Sequence, residues 1–428
     1  MHILVITSHF RPESGAAAKR MGGLVLALQF AGHRTTVVTL NAAGAKSADS
    51  RVTIDAEGDG NQVWRFQNWT PPRNNLRARL WTEARFALLA SRFITRMSAV
   101  DGVLASSPYM FNLTAARTYS VPMWLDVRDL TWEYAREVAC NGLIRSCGYH
   151  FMKATTLGSL RSALRISTTT ERQRQFLIQE GISADKIRVV ANGVPHTVAE
   201  QLSRLASRPR ADGPLRLVYG GTLGLAQGIG FALSAIADFN PRELELHLYG
   251  EGADGDQLRA YCALRGLKHV HFHGDVSYDD YLEAIAGADI LLASLRNGKS
   301  FSTAMPSKIW EYMAAGRPIL FIGSGAAADV VSAAQAGLCA EYGDQDGFRR
   351  QLRRLIDSPA LRNECGANGR GWVLADHIRE FINAEWVHAL EEAFVSTPHL
   401  VQARVQPALS GAVANLSQMP ATKSKRAA

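Results

Sequence analysis

Residues 215–228 read Leu215-Arg-Leu-Val-Tyr-Gly-Gly-Thr-Leu-Gly-Leu-Ala-Gln-Gly228, an apolar run followed by four glycines and then by a helical pattern that reaches residue 238. This is the pattern of a buried parallel strand that leads through a loop into a helix. The chain also begins in this way, because the β-branched run at residues 2–7 leads through a polar loop into a helical pattern at residues 16–31, before Gly32. The sequence therefore starts the same strand–loop–helix unit twice.

Strand and helix patterns alternate after both starting points. This alternation predicts an α/β fold with doubly wound parallel sheets. We expect two Rossmann-like domains, residues 1–195 and 215–369, joined by a polar linker at residues 196–214 and facing each other across a cleft that binds ligands. The other predicted strands are residues 35–40, 102–106, 123–127, 166–170 and 187–191 in the first domain, and 245–249, 270–273, 290–294, 319–322 and 339–342 in the second.

Composition limits the class of protein. The 428 residues are 47% hydrophobic and 20% charged, which suits two globular cores. We expect neither a membrane-spanning helix nor a signal peptide, because the chain has no run of 18 apolar residues and no basic leader. Five scattered cysteines favour a cytoplasmic protein with reduced thiols. Residues 397–428 contain four basic residues and no acid, within a net charge of +8, and are expected to be disordered.

Two loops have the glycines that phosphate sites use. Gly15 opens the first helix, but its loop lacks the G-x-G-x-x-G pattern, and no P-loop motif occurs, which argues against an NAD-dependent enzyme. A bound anion or hydroxyl-rich ligand at Gly15 and a plain turn are equally consistent with this loop. The glycines of residues 219–228 favour the close approach of a phosphate, and a flexible loop without a ligand is the alternative.

Residues 304–318 read Ala304-Met-Pro-Ser-Lys-Ile-Trp-Glu-Tyr-Met-Ala-Ala-Gly-Arg-Pro318 and predict a helix with Pro306 at its first position and Gly316 just past its end. Lys308 lies in the first turn, where the helix dipole disfavours a cation by about 0.3–1 kcal/mol, so that a bound anion would explain it. Glu311 lies about one turn further on the same face. The pair could hold a diphosphate and a ribose diol, and a surface ion pair is the alternative.

The order of these motifs resembles retaining glycosyltransferases of family 4, which have the GT-B fold. The likeness covers roughly residues 1–395, and the most similar subgroup makes bacterial surface polysaccharides. We also expect helices at about residues 370–395 to complete the first domain. Besides residues 304–318, the shared motifs are Phe10-Arg-Pro-Glu-Ser-Gly15, Leu125-Asp-Val-Arg-Asp129, Asn192-Gly193, Gly220-Gly-Thr-Leu-Gly224, Gly250-Glu-Gly252 and Ala288-Asp289.

The resemblance implies that a nucleotide-sugar donor binds as a substrate, with no further cofactor. Glu311 would bind the ribose, and Lys308 and the loop of residues 220–228 would bind the diphosphate. The catalytic candidates are Arg128, Asp129 and Lys308. The donor-site candidates are Gly15, Gly220, Gly221, Thr222, Gly224, Gly250, Gly252, Arg296, Thr303, Pro306, Ser307, Lys308 and Glu311.

The donor site departs from the family pattern at three positions. Thr303 replaces the first acidic residue of a Glu-x7-Glu pair, which commonly contacts the donor sugar. Thr222 and Gln227 replace basic residues of the glycine loop. The charge of the diphosphate would then be met by the remaining cations, for which the candidates are Lys308, Arg296 and Lys299.

Arg128 stands where the family often has a histidine before Asp129. Its guanidinium stays protonated and cannot act as a general base, so Arg128 would bind phosphate or orient Asp129. Departure of a sugar diphosphate needs charge stabilisation more than a strong base. We expect a metal-independent reaction, because neither a D-x-D motif between apolar strand residues nor a histidine cluster with ligand spacing is evident. His9 is a candidate for contact with an acceptor.

Residues 71–98 contain six arginines and one acid, Glu83. Arg85, Arg92 and Arg96 share one helical face. A neighbouring apolar stripe consists of Phe86, Leu89, Phe93 and Met97, with Trp81 near its edge; the other arginines are Arg73, Arg77 and Arg79. Such a helix can lie on an anionic membrane surface, and packing against the sheet with solvated arginines is equally consistent. Nucleic acid is not expected, because no reading motif accompanies the charge.

The leading hypothesis is a retaining hexosyltransferase that uses a polysaccharide or lipid-linked acceptor at the cytoplasmic face of a membrane. A nucleotide-sugar 2-epimerase with the same architecture is one alternative, although it leaves the basic helix without a purpose. A non-catalytic binding protein is the other alternative, because of Thr303, Thr222 and Gln227.

Overall fold

The computed structural model describes most of the chain. The expected disordered tail, residues 397–428, and residues 208–212 of the expected linker lie outside the described residues. The described ranges are residues 1–13, 15–41, 52–67, 76–94, 100–107, 110–117, 120–138, 143–207 and 213–396.

The first domain contains an eight-stranded sheet. Its strands are β1 (His2–Ile6), β2 (Arg34–Leu40), β3 (Val52–Ala56), β4 (Gln62–Phe66), β5 (Gly102–Ser106), β6 (Met123–Val127), β7 (Arg165–Thr168) and β8 (Ile187–Val189). Their order is β3-β4-β2-β1-β5-β6-β7-β8. Its helices are α1 (Ala16–Phe30), α2 (Leu76–Ile94), α3 (Met110–Ala116), α4 (Thr131–Val138), α5 (Leu143–Ser162) and α6 (Glu171–Gln179), followed by α7 (His196–Ala206).

The second domain contains a six-stranded parallel sheet. Its strands are β9 (Leu215–Gly220), β10 (Leu244–Tyr249), β11 (Val270–Gly274), β12 (Ile290–Ser294), β13 (Ile319–Ile322) and β14 (Gly337–Ala340), in the order β11-β10-β9-β12-β13-β14. Its helices are α8 (Ile229–Ile236), α9 (Gly255–Arg265), α10 (Tyr278–Ala286), α11 (Lys299–Thr303), α12 (Lys308–Ala314), α13 (Ala326–Ala333), α14 (Gln345–Asp357) and α15 (Pro359–Asp376), and the described chain ends with α16 (Arg379–Val395).

Helices cover both faces of each sheet. Leu4 and Ile6 of β1 pack in one apolar layer of the first domain, and Ile3 and Val5 pack in the other. Side chains alternate between the two faces of a strand, so a strand that is buried on both sides must be apolar throughout. The predicted α/β fold with two doubly wound, Rossmann-like sheets is therefore confirmed, with a change at one edge of the first sheet.

That edge holds two strands that the sequence did not predict. Strands β3 and β4 pair antiparallel, whereas the other paired strands of this sheet run parallel. The side chains of β3 are partly or fully exposed, because this strand forms the outer edge of the sheet. An exposed edge strand has no continuous apolar run, which is the signal that identified the buried strands.

The segment predicted as a linker contains helix α7. Ala199 and Leu202 of this helix are buried in the same apolar cluster as Ile309 and Met313 of α12. The exposed side of α7 is polar, and this composition led to the wrong prediction of a linker at residues 196–206. The chain therefore enters the second domain through a packed helix.

Helix α15 packs on the second domain, and the next helix along the chain, α16, packs on the first domain. The Trp386 ring lies edge-on to Trp124 of β6, with ring centroids 5.8 Å apart. Where the chain crosses between the domains, Val194 and Ile378 form an isolated parallel bridge. The Arg379 guanidinium donates hydrogen bonds of 3.1 Å to the carbonyls of Asn192 and Gly193.

Helix α2 packs its apolar stripe against the sheet. The Phe86 ring is buried edge-on to Phe66, with centroids 5.9 Å apart, and Leu89 packs on the same core. These two residues are therefore unavailable to a membrane, contrary to one interpretation of the sequence. The side chains of Arg73, Arg77, Arg79, Phe93, Arg96 and Met97 lie outside the described part of the chain. No described helix is long and apolar enough to cross a bilayer.

Candidate active site

A cleft of about 1050 Å³ lies between the carboxyl ends of the two sheets. Its walls come from the segments that follow β6, β7 and β8 in the first domain and β9, β10, β11 and β12 in the second. The starts of α1 and α10 and the first turn of α12 also contribute to the wall. Doubly wound sheets bind ligands at these strand ends, so the fold by itself brings the polar side chains of both domains together.

Lys308 lies in the wall of this cleft at the first position of α12. Ser307 occupies the N-cap position without a side-chain capping hydrogen bond, so Pro306 lies before the helix and not at its predicted first position. The Lys308 Nζ lies 3.9 Å from the centroid of the Tyr219 ring, and it makes no hydrogen bond or salt bridge with another described residue. Burial lowers the pKa of Lys308 to about 7, although the Glu311 carboxylate acts in the opposite direction.

Glu311 lies one turn further along α12 and also lines the cleft. Its two carboxylate oxygens accept hydrogen bonds of 2.7 Å from the hydroxyls of Tyr278 and Tyr281 on α10. Burial, together with this carboxylate, raises the pKa of both tyrosines, so both stay protonated as donors. A carboxylate offers about four acceptor positions, which leaves about two for a ligand such as a ribose diol.

The two glycine loops of the second domain pack directly on each other. The Gly221 N–H donates to the Tyr249 carbonyl at 2.8 Å, and a Cβ at Gly250 would lie 2.3 Å from the Gly221 oxygen. A Cβ at Gly221 would lie 2.6 Å from the Lys308 Nζ, and the φ angles of Gly221 and Gly250 are +133° and +120°. These glycines are therefore required by protein packing, and they also form the surface that a ligand would approach.

Arg128 and Asp129 form the opposite wall. Their backbone N–H groups donate to the Ser107 hydroxyl at 2.7 and 3.3 Å, which fixes the turn after β6. The Asp129 side chain is exposed in the cleft, whereas the Arg128 Nε is buried and has no hydrogen-bond partner among the described residues. Burial lowers the pKa of Arg128 and Asp129 partly offsets this effect, but a guanidinium remains a cation at neutral pH.

A buried ion pair supports this wall from below. Arg20 of α1 donates to both oxygens of Asp126 at 2.9 and 2.6 Å, and its other nitrogen reaches the Val190 carbonyl at 3.0 Å. Asp126 also accepts a 2.6 Å hydrogen bond from Ser167. Burial alone would raise the pKa of Asp126, but the Arg20 guanidinium holds it below the usual value. The pair joins α1, β6, β7 and the end of β8.

The structure places two thirds of the proposed site residues in the cleft wall. These are Arg128, Asp129, Gly220, Gly221, Thr222, Gly250, Pro306, Ser307, Lys308 and Glu311. The residues that do not line the cleft are Gly15, Gly224, Gly252, Arg296 and Thr303.

Thr303 and Arg296 were expected to contact the donor, and each has another role. The Thr303 hydroxyl is buried and donates to the Ser300 carbonyl at 3.0 Å, while its own carbonyl accepts from Thr170 of the first domain. The Arg296 guanidinium is exposed and lies 5.9 Å from the Tyr342 ring centroid, outside the cleft lining. His9, expected to touch an acceptor, contacts Glu13 at 2.7 Å and does not line the cleft.

Several residues of the cleft were not predicted. Lys19 of α1 lies with its Nζ 3.9 Å from the centroid of the Tyr278 ring, so it joins the first domain to the side chains that bind Glu311. Lys19 lies far in sequence from Tyr278 and Tyr281. None of the three belongs to a predicted motif, so only the folded chain brings the lysine to the two tyrosines. Outside the cleft, strand pairing brings Glu245, His247 and His271 together with the spacing of metal ligands. The sequence had predicted no such histidine group.

Comparison with known proteins identifies both domains. The family model described as "Glycosyl transferase 4-like domain" matches residues 15–193, and the one described as "Glycosyl transferases group 1" matches residues 204–372. The chain is also 29% identical, over 230 residues, to a 2-deoxystreptamine glucosyltransferase of Streptomyces kanamyceticus. That match covers 51% of this chain and 57% of the relative, so the two proteins align over little more than half their lengths.

Solved structures of similar fold cover nearly the whole chain. Sucrose-phosphate synthase of Thermosynechococcus elongatus is 18% identical, with a TM-score of 0.73, covering 92% of this chain and 100% of that one. Anabaena HepE in complex with UDP-glucose is 15% identical, with a TM-score of 0.67 and the same two coverages. At these identities the similarity establishes the fold, which is GT-B.

The low pKa of Lys308 predicts how binding of a diphosphate depends on pH. Above pH 7 the Lys308 amine is mostly neutral in the free protein. The amine must therefore take up a proton when it pairs with a diphosphate. The association constant of a nucleoside diphosphate should therefore fall as the pH rises, by up to about tenfold per unit. Calorimetric titration between about pH 7.5 and 9.5 measures this slope, because the terminal phosphate, with a pKa of about 6, is then fully ionised.

Two variants identify the group that titrates. Lys308→Met should bind weakly and show no slope, whereas Lys19→Met, which removes another cleft amine, should keep the slope. A flat profile for the wild-type protein, or an unchanged slope in Lys308→Met, would contradict the assignment.

Proposed function

We propose that this chain, a glycosyltransferase of the GT-B fold, moves a hexosyl group from a nucleoside-diphosphate hexose to a polysaccharide or lipid-linked acceptor. The main support is Lys308, a partly buried amine without a described salt-bridge partner in the wall of the cleft. The first turn of α12 adds the positive end of the helix dipole at the same place. Both favour an anion, and a diphosphate that leaves with added negative charge gains most from them.

The proposed reaction exchanges one bond at the anomeric carbon for another. The bond from this carbon to the diphosphate oxygen breaks, and the nucleoside diphosphate leaves with the bonding electron pair. The acceptor hydroxyl oxygen forms the new bond to the anomeric carbon, and its proton passes to the departing diphosphate oxygen. Lys308 would stabilise the leaving diphosphate, and Arg128 would add positive charge from the other wall. Asp129 is exposed in the cleft and would orient the acceptor hydroxyl.

The donor class has support from the similar proteins and from the cleft. One relative is named a glucosyltransferase, and Anabaena HepE was solved with UDP-glucose. In this chain Glu311, held by two tyrosine hydroxyls, would bind the ribose diol of the donor. Retention of the anomeric configuration and a surface-polysaccharide acceptor are proposed because residues 304–318 resemble retaining enzymes of that kind.

Metal independence is proposed from the charges that line the cleft. Lys19, Arg128 and Lys308 place three cationic side chains around the space for the diphosphate. Among the residues described, the group with metal-ligand spacing contains Glu245, His247 and His271, and none of these lines the cleft. Side-chain cations would thus do the work that a bound divalent ion does in metal-dependent transferases.

Incubation with nucleotide sugars, without acceptor and in the presence of EDTA, tests the proposal. We expect slow hydrolysis of one nucleoside-diphosphate hexose, beginning the panel with UDP-glucose, because water can replace the acceptor. Nuclear magnetic resonance should show nucleoside diphosphate and free hexose. The hexose released first should have the same anomeric configuration as the donor, as retention requires. The rate should not depend on added Mg²⁺ or Mn²⁺.

The Glu311→Ala variant tests the site within the same experiment. It should weaken nucleotide binding by about 1.5–3 kcal/mol, the usual contribution of a hydrogen bond to a charged group. Glu364→Ala, which removes an exposed glutamate of α15, should bind as the wild type does.

Formation of a 2-epimer from the donor alone would instead identify an epimerase. Binding without any product would indicate a non-catalytic protein. Loss of activity in EDTA that added Mg²⁺ or Mn²⁺ restores would contradict metal independence.

We also propose that the protein attaches to the cytoplasmic face of a membrane through the outer face of α2. Trp81, Arg85, Leu88 and Arg92 recur at helical spacing and are exposed, with Trp81 and Leu88 at 56% and 55%. Two cations beside two large apolar side chains suit the headgroup region of an anionic bilayer. Each arginine would contribute about 1 kcal/mol, which allows reversible attachment.

Co-sedimentation with phosphatidylserine-containing vesicles tests this attachment. At low salt, replacing both Arg85 and Arg92 with glutamine should weaken binding by roughly 30-fold, equivalent to about 2 kcal/mol. The matched control replaces Arg204 and Arg242, which are exposed on α7 and the second domain, and should bind like the wild type. Equal weakening in both double variants, or none in either, would show that α2 has no special role.

A further inference from the structure

The outer edge of the second sheet contains a group of polar side chains that the proposed transfer reaction does not use. Strands β10 and β11 are parallel neighbours there, with His247 paired to His271 in the strand register. Leu244, Leu246 and Leu248 of β10 point into the apolar core. Since side chains alternate along a strand, Glu245 and His247 share the opposite face of the sheet.

Glu245 lies between the two histidines. One of its carboxylate oxygens is 3.3 Å from the His247 Nε2, and the other is 3.8 Å from the His271 Nε2. The three potential ligand atoms all lie within 4.8 Å of one another. The His271 Nε2 is buried and makes no hydrogen bond with a described residue, although its ring edge is partly exposed. A buried ring nitrogen directed at a carboxylate without a hydrogen bond is available to a ligand.

A second layer of side chains orients His247. Its Nδ1 lies 3.0 Å from the Nε2 of His273, and the His273 ring stacks on Tyr249 with centroids 4.2 Å apart and an interplanar angle of 5°. When Nδ1 carries the proton and donates to His273, the His247 Nε2 presents its lone pair towards Glu245. Metal-binding histidines are commonly oriented in this way, through a hydrogen bond from the ring nitrogen that does not bind the ion.

We propose that Glu245, His247 and His271 form a binding site for a divalent transition-metal ion of the Zn²⁺ class. Two imidazole nitrogens and one carboxylate oxygen are a preferred ligand set for Zn²⁺, and water would supply the fourth position because Glu245 and His271 reach the surface. Bonds of about 2.0–2.2 Å in a tetrahedral site put ligand atoms about 3.4 Å apart. Rotation of the Glu245 and His271 side chains closes the remaining distance.

The ion would stabilise the sheet edge behind the cleft wall. Tyr249, which stacks on His273, lines the cleft, as does Gly250. A metal bridge between β10 and β11 would fix the start of this loop without entering the cleft. Arg216 of β9 is paired in register with Glu245, and its positive charge opposes the binding of a cation. A variant that removes this charge, Arg216→Gln, should therefore bind the metal more tightly.

Zn²⁺ titration of the full chain, after treatment with a chelator and its removal, tests the site. Calorimetry should show one tight equivalent per chain, and Co²⁺ should give the visible absorption of a tetrahedral complex. Mg²⁺, which prefers oxygen ligands, should not bind there. His271→Gln and Glu245→Gln should each weaken Zn²⁺ binding at least tenfold, whereas Arg216→Gln should strengthen it several-fold.

His388→Gln is the matched control, since it removes an exposed histidine that also lies near a glutamate, with His388 and Glu392 3.4 Å apart. It should leave the tight equivalent unchanged. Circular dichroism of every variant confirms that the fold is kept, and the partly exposed positions of Glu245 and His271 favour this. Absence of a tight equivalent in the wild type, or equal affinity in His271→Gln and His388→Gln, would overturn the proposal, whatever the outcome for sugar transfer.

Discussion

Lys308 is held at the start of α12 with its amine against the face of the Tyr219 ring, where burial lowers its pKa to about 7. The amine in this position is partly buried and has lost part of its hydration, and no described carboxylate lies within salt-bridge distance of it. The surrounding loops are shaped around it, because Gly221 leaves the space that a Cβ would take from the Nζ. A bound diphosphate would compensate the buried charge, which makes Lys308 the centre of the proposed donor site.

The first domain contributes through its connections to the second. Arg20 and Asp126 form a buried ion pair beneath the turn that presents Arg128 and Asp129 to the cleft. Helix α16 then returns from the second domain and packs Trp386 on the first. Two crossings of the chain between the domains therefore position the wall that contains Arg128 and Asp129 opposite the wall that contains Lys308.

The sequence predicted the elements whose pattern is local. Buried strands and the helix after Lys308 were found because their apolar spacing and glycine positions are visible within a few residues. The same approach missed β3, which is exposed, and α7, whose buried residues are few. It also missed the hydrogen bonds from Tyr278 and Tyr281 to Glu311, which join residues about 30 positions apart. Thr303 was expected at the donor because of its place in a motif, but its hydroxyl bonds within its own helix.

Hydrogen–deuterium exchange tests the central claim, that the donor binds at Lys308 between the two glycine loops and the first domain. Amide exchange would be compared with and without a nucleoside-diphosphate hexose taken from a panel at saturating concentration. The account predicts slower exchange in residues 219–228, in the loop after Tyr249 and around Lys308, with smaller protection near Arg128. Unchanged exchange in all these segments with every hexose of the panel, or protection confined to other surfaces, would contradict it.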